Sequence, residues 1–284
     1  MYYASALCLR TVYTGYVGQL EGTPFPPACC PVMSRPNHRH SRILQHSALA
    51  GVVVLALLVS AFGDPPRAFT VGAFSQVDPG QLPSHWSAMP LGDLRHSTYE
   101  TVDVDGRTVV RAHADDSASG FIREITINPR DFPVLEWQWK AESVLRGGNV
   151  ARKSGDDYAA RIYITFDYDE TNVSLSERVK YRAAQALTSQ DIPLRALSYI
   201  WSNEVLSDTP VPNPYTDWVM MVPVEGGTPK LGTWVRERRN IVEDYRRAFG
   251  EDPPAITGIA LMTDADNTGE SVTAYYGDLV LRGE

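Results

Sequence analysis

The feature that most restricts the fold of this sequence is a period-two alternation of apolar and polar residues, which recurs in many short segments from residue 68 onward. Successive side chains of a strand point to opposite faces, so this alternation is typical of half-buried β-strands. Turn sequences such as Asp105-Gly106 and Asn128-Pro129 separate the segments. Many short strands divided by turns favour a β-sandwich or jelly roll. We predict strands at residues 68–74, 98–104, 108–114, 120–127, 134–141, 157–166, 196–201, 218–224, 234–239, 256–262 and 272–281.

Two segments follow the helical repeat instead. Apolar residues recur every four positions over residues 174–187 and again over residues 241–249, where Gly250 follows as a helix stop. No internal repeat or low-complexity linker divides the chain after residue 64. The predicted fold class is therefore mainly β, a single-domain β-sandwich or jelly roll with two short helical insertions.

The first 63 residues have a different character. Residues 1–32 show no clear periodicity, and Met33 begins a segment with three arginines, an apolar block at residues 48–59 and small residues up to Gly63. This order is typical of a secretory signal peptide, and the apolar block is shorter than the about 20 residues of a membrane span. We predict that residues 1–32 are not part of the mature protein. We also predict that residues 33–63 are a signal peptide, with an uncleaved anchor or a mis-set start as alternatives, and that residues 64–284 are periplasmic or secreted without a stable membrane span.

Composition excludes several classes of function. All three cysteines precede residue 33, so the predicted mature chain lacks disulfides, thiolate zinc sites and a cysteine nucleophile. The whole chain has a net charge of −8, and residues 1–63 contain four arginines but only one acidic residue. The mature domain is therefore more acidic still, which argues against a nucleic-acid partner and favours neutral or cationic ligands.

Residues 155–166 hold the densest group of candidate binding residues. If this segment is a strand, then Asp157, Arg161 and Tyr163 share one face, and Asp156 lies beside them. Arg161 offers five donors in a fixed fork, and Tyr163 offers an aromatic ring with a hydroxyl group. The face is either a ligand-binding platform or a structural Asp157–Arg161 pair.

Residues 262–270 leave a predicted buried strand with several oxygen ligands close together. Asp264, Asp266, Asn267 and Glu270 are the hard ligands that calcium prefers, although their spacing is not that of an EF-hand. A tight structured turn and direct ligand contact are the alternatives. If the strands that carry Asp157 and Asp264 are neighbours in one sheet, the two acidic stretches form one site.

The segment at residues 134–140 contains two tryptophans in strict alternation with polar residues. Trp137 and Trp139 in such a strand indicate core positions, with sugar stacking as the alternative. Glu136 and Gln138 then face a groove or water, and we include them among the candidate ligand-binding residues.

Several segments together resemble a bacterial family of exported domains of unknown function. They include ASGFIREI at residues 118–125, GDDYAARIYITF at residues 155–166, DYRRAFGE at residues 244–251 and MTDADNTGE at residues 262–270. The likeness covers most of residues 70–282 and implies no activity. The Trp-rich strand and the closing segment AYYGDLVL at residues 274–281 resemble, more loosely, galactose-binding-like jelly rolls, a class that includes many carbohydrate-binding modules. That resemblance implies that Asp278 helps to hold a structural calcium ion.

Three functions are compatible with these observations. The chain lacks a GxSxG elbow, an HExxH motif, a Walker loop and a dinucleotide fingerprint, which favours a domain that binds a glycan or another small polar ligand without catalysis. The alternatives are a polysaccharide-active enzyme, either a glycoside hydrolase or a lyase, and a structural envelope assembly protein. Whether the chain is an enzyme stays open.

Overall fold

The computed structural model describes residues 67–167 and 195–283. Its strands are β1 (Ala68–Gly72), β2 (Ser87–Pro90), β3 (Thr98–Val104), β4 (Arg107–Asp115), β5 (Ala118–Ile127), β6 (Val134–Ala141), β7 (Arg161–Phe166), β8 (Arg195–Ser202), β9 (Val211–Asn213), β10 (Thr216–Gly226), β11 (Val235–Asn240), β12 (Ile256–Asp264), β13 (Ser271–Tyr276) and β14 (Leu279–Arg282). Helix α1 spans Ile241–Phe249, and two 3-10 turns span Phe74–Gln76 and Lys153–Gly155.

The strands form two sheets. Sheet A has the order β1-β14-β6-β13-β4-β3, and β11 pairs with the other edge of β6. Sheet B has the order β2-β5-β12-β7-β8-β10-β9. Its β8–β10 pair is parallel, whereas β12 pairs antiparallel with both β5 and β7. Strand β12 therefore lies inside sheet B, and its Ile259 and Leu261 belong to the core.

The core lies between the two sheets and is rich in aromatic residues. Trp137 and Trp139 of β6 pack against Tyr199 and Trp201 of β8, with ring centroids 5.2 and 5.9 Å apart. All four side chains are buried. The core prediction for the two β6 tryptophans is thereby confirmed, and sugar stacking by them is excluded.

The sandwich predicted from the period-two pattern is confirmed. Strands β3 and β6 have the predicted limits, and most others differ by one or two residues at an end. Three details differ from the prediction. Strand β7 begins at Arg161 rather than at residue 157, the predicted strand at 272–281 is divided into β13 and β14 at Gly277, and the short strands β2 and β9 were missed.

Helix α1 confirms the second predicted helix and its predicted stop at Gly250, and the structure adds an N-terminal cap at Asn240. The Asn240 side chain accepts hydrogen bonds from the backbone N–H groups of Val242 and Glu243, which would otherwise be unpaired. Gly250 ends the helix with a left-handed φ of 77°. The helix predicted at 174–187 and the signal peptide predicted at 33–63 lie outside the described residues, so both stay predictions. Among the residues that the structure describes, no helix is both long and apolar enough to cross a membrane.

Candidate functional site

A cavity of about 1420 Å³ lies on the face of sheet B that points away from sheet A. Its floor comes from alternate residues of β7 and β12: Arg161, Tyr163 and Thr165 line the cavity, while Ile162 and Ile164 point into the core. Pairing of β7 with β12 places Met262 opposite Arg161 and Ala260 opposite Tyr163. The period-two pattern of β7 thus builds the cavity with one face and the core with the other.

Arg161 organises the polar end of this cavity. Its side chain is 1% exposed, and its Nε donates to Asp264 Oδ1 at 3.0 Å while a second guanidinium nitrogen pairs with Asp264 Oδ2. The remaining donors reach the Tyr163 hydroxyl at 3.0 Å and Asp156 Oδ1 at 3.5 Å. The Arg161 guanidinium also lies over the Tyr158 ring, 4.2 Å from its centroid. A buried guanidinium held this way fixes its neighbours as well as itself.

Asp156 links this centre to the loop that precedes β10. Its Oδ2 accepts a hydrogen bond from Asn213 Nδ2 at 2.7 Å. Asn213 in turn accepts from the backbone N–H of Tyr215 at 2.9 Å. The Tyr215 hydroxyl donates to Asn267 Oδ1 at 2.5 Å, so the loop that follows β12 is tied to the same end of the cavity.

Asp157 holds the loop that follows β12. Its carboxylate accepts hydrogen bonds from the backbone N–H groups of Asn267 and Thr268 and from Asn267 Nδ2, at 3.2, 2.7 and 3.1 Å. Asp157 is fully buried and does not line the cavity. The predicted Asp157–Arg161 pair is therefore wrong, because β7 begins at Arg161 and the residues before it do not continue the strand's alternation.

The two acidic stretches found in the sequence form one cluster. Carboxylate oxygens of Asp157, Asp264 and Asp266 lie within 4.8 Å of one another. Asp157 precedes β7 and does not lie on it, but β7 and β12 are neighbours in sheet B, and this pairing brings the two acidic stretches together. Burial raises the pKa of Asp264 above its ordinary range, although the Arg161 guanidinium beside it acts in the opposite direction. Burial also raises the pKa of Asp266, and the negative charge of Asp157 adds a smaller increase.

Much of the cavity wall comes from residues that the sequence analysis did not select. Strand β2 and the segment after it supply apolar residues that include Met89 and Leu94, and Ile122 of β5 adds to this wall. Trp218 of β10 and the 55% exposed Tyr215 line the same cavity. The signal in the sequence that could have indicated this wall is the pair of aromatic residues, Tyr215 and Trp218, directly after the Pro212-Asn213-Pro214 turn.

The other predicted binding residues lie on sheet A. Glu136 forms ion pairs with Arg282 and Arg238 at 3.0 and 3.4 Å. Gln138 is 8% exposed, and its side chain packs where a Cβ at Gly277 would lie. Neither Glu136 nor Gln138 is part of the cavity wall, because β6 belongs to the opposite sheet.

The predicted calcium ligands are distributed over separate contacts. Asp264, Asp266 and Asn267 line the cavity, whereas Glu270 accepts hydrogen bonds from the backbone N–H groups of Arg146 and Gly147. The Asp278 carboxylate accepts from the Ser75 backbone and hydroxyl at 2.8 and 2.5 Å, beside β14 in sheet A. Calcium binding stays a prediction, and Asp157 with Asp264 and Asp266 is the group of carboxylates that lies close together.

A family model described as "Protein of unknown function (DUF3047)" matches residues 84–280. The chain belongs to this family. The match spans every strand that contributes to the cavity and confirms the resemblance to a family of unknown function. No curated protein matches the chain.

The solved structures similar to this DUF3047 chain include carbohydrate-binding modules. A family 11 module of a cellulosomal cellulase from Clostridium thermocellum is 10% identical, with a TM-score of 0.39 over 78% of this chain and 97% of the module. A family 30 module of another Clostridium thermocellum cellulosomal cellulase is 12% identical, with a TM-score of 0.37 over 77% of this chain and 98% of that module.

Proposed function

We propose that this domain binds a glycan or another small polar ligand, without catalysis, in the cavity on sheet B. The observation that carries the proposal is the cavity itself, which opens on a strand face that the core does not use. Its volume of about 1420 Å³ exceeds the roughly 300–1,000 Å³ of common small-molecule sites. The space accommodates an oligosaccharide better than a single sugar.

The wall of the cavity combines the two kinds of group that a sugar needs. Trp218 and Tyr215 offer flat aromatic surfaces with a polar edge. Thr257, Asn213 and Asn267 add side chains with hydrogen-bonding groups. Because the aromatic groups and the hydrogen-bonding groups face the same space, a ligand with apolar faces and a rim of hydroxyl groups fits this site.

The contacts of the acidic residues support binding more than turnover. Asp157 is buried behind the cavity with three donors, and Arg161 is engaged by Asp264, Asp156 and Tyr163. A general acid or base must reach the proton that it transfers, and Asp157 does not line the cavity. We therefore assign these residues to the construction of the binding surface and keep the polysaccharide-active enzyme as the alternative.

The proposal is tested by titrating the full chain with a panel of soluble oligosaccharides in a calorimeter. We expect saturable binding to at least one of them and a loss of about tenfold or more in affinity for Trp218→Ala. Trp234→Ala is the matched control, because Trp234 is also partly exposed but lies beside Lys140 and Tyr275 on sheet A.

Two results would reject the proposal. One is the absence of saturable binding to every oligosaccharide, and the other is an equal loss of affinity in the Trp218 and Trp234 variants. Reproducible capture of a protein partner without any glycan binding would favour the structural alternative. Product formation during the titration, abolished by Arg161→Ala without unfolding, would favour the enzyme.

A further inference from the structure

The charges on the cavity wall are unbalanced. Among the described residues that line it, Glu124, Asp156, Asp264 and Asp266 carry carboxyl groups, and Arg161 carries the only positive charge. Arg161 is itself engaged by Asp264 and Asp156, so its donors are directed into the protein wall. The raised pKa of Asp264 keeps this group protonated at about pH 6, but the carboxylates of Glu124, Asp156 and Asp266 still outnumber the guanidinium of Arg161. A ligand entering the cavity therefore meets an excess of negative charge.

Asp266 is the acidic residue best placed to act on a ligand. It lines the cavity, it is partly exposed, and no Lys or Arg in the described part of the chain forms an ion pair with it. Its carboxylate lies within 4.8 Å of those of Asp157 and Asp264, and burial raises its pKa. A cation close to Asp266 would offset both the desolvation of this group and the repulsion from its neighbours.

Lys153 lies near the same end but does not balance the charge. Its Nζ is 5.1 Å from the centroid of the Tyr215 ring, and Lys153 does not line the cavity. Even when Lys153 is counted, carboxyl groups outnumber cations there. The excess negative charge is therefore present at the open part of the cavity as well as around the buried Arg161 side chain.

The rest of the cavity is too large and too apolar for an inorganic cation alone. The wall made by Met89, Leu94 and Ile122, together with Trp218, extends well beyond the acidic end. A complementary occupant has apolar ring faces along this wall and a positive charge at Asp266. We infer that the cavity selects a cationic glycan, an oligosaccharide with protonated amino groups; this inference rests on the proposed function.

The test uses three hexasaccharides with the same β-1,4 linkage that differ only at carbon 2. Cellohexaose has a hydroxyl group there, N-acetylchitohexaose an acetamide, and the glucosamine hexamer an amino group, which is mostly protonated at about pH 6. We expect the full chain to bind the glucosamine hexamer about tenfold or more tightly than cellohexaose at low salt. Added salt should reduce this preference.

Variants locate the source of the preference. Asp266→Asn should reduce the preference for the glucosamine hexamer over cellohexaose to about threefold or less. Glu100→Gln is the matched control, since it removes one negative charge from sheet A, where Glu100 pairs with Arg111. Trp218→Ala should weaken binding of the glucosamine hexamer, which a diffuse attraction to the acidic surface would not require.

The outcomes separate this inference from the proposed function. Equal affinity for cellohexaose and the glucosamine hexamer would overturn the cationic selectivity and leave glycan binding intact. A preference that survives Asp266→Asn, or that falls equally in Glu100→Gln, would overturn the assignment to this cavity. Failure of all three hexasaccharides and of the wider oligosaccharide panel to bind would reject the proposed function, and the inference with it.

Discussion

Replacement of Arg161 by methionine tests the centre of the candidate site. Methionine keeps an unbranched side chain of similar length but removes every hydrogen bond that Arg161 makes to Asp264, Asp156 and Tyr163. Asp264 is 1% exposed and would lose its described counter-charge. Removing one partner of a buried ion pair costs about 3–5 kcal/mol, because the other charge stays desolvated.

The assay is urea unfolding at pH 8 together with thermal melting. A loss of about 3–5 kcal/mol corresponds to a Tm lower by roughly 6–20 °C, at about 2–4 °C per kcal/mol for a domain of this size. Arg238→Met is the matched control. Arg238 is 64% exposed and pairs with Glu136 at 3.4 Å, so its loss should cost at most about 1 kcal/mol.

The pH dependence of the Arg161 variant gives a second readout. Burial already raises the pKa of Asp264, and loss of Arg161 removes an influence that lowers it. An acid with a raised folded-state pKa binds more protons when folded, so it destabilises the fold increasingly as pH rises from the unfolded-state pKa to the folded-state pKa. Because the pKa of Asp264 is about 8 in the wild type and higher without Arg161, the two proteins lose stability alike up to about pH 7, and the difference between them should be larger at pH 9 than at pH 6. A loss below about 1 kcal/mol at pH 8, or an equal loss at pH 6 and pH 9, would refute the reasoning.

Three further predictions concern stability. Burial raises the pKa of Glu237 to about 7, so the folded protein loses stability as pH rises from about 4.5 to 7. Glu237 is partly exposed, which reduces the expected effect, so Glu237→Gln should be more stable than wild type by about 1–2 kcal/mol at pH 8. At pH 4.5 the variant should be no more stable than wild type. Equal gains in Tm at both pH values would contradict this prediction. Asn240→Ala removes the α1 cap and should cost about 1 kcal/mol in urea unfolding, whereas Asn240→Asp should cost little. If calcium binds beside Asp266, it should raise the Tm by several degrees, reversibly with chelator and not in Asp266→Asn; an unchanged wild-type Tm would reject the ion.

Periodicity was enough to predict the architecture. The alternation in β6 placed Trp137 and Trp139 in the core, and the helical repeat followed by Gly250 located α1. These are local properties, since a strand or helix buries whichever face its repeat makes apolar. The break at Gly277 was not predicted, although the buried positions change phase there, from Val272, Ala274 and Tyr276 in β13 to Leu279 and Leu281 in β14.

The candidate site depended on pairing between distant segments. The sequence singled out Asp156, Arg161 and Asp264, but it favoured Asp157 as the partner of Arg161. Only the antiparallel register of β7 and β12 brings Asp264 to the guanidinium, across a separation of 103 residues. Asp157 precedes β7, and its carboxylate binds the loop after β12 instead.

The composition and periodicity of the sequence by themselves determined a cysteine-free β-sandwich after residue 63 with an acidic surface. Tertiary structure alone decided which polar residues share a cavity: it placed Trp218 and Tyr215 with Arg161 on sheet B and left Glu136 on sheet A. The physical reason is that the face of a strand or helix on which a side chain lies depends only on residues a few positions away in the sequence. The meeting of side chains follows from strand order and register, which depend on the packing of the whole core.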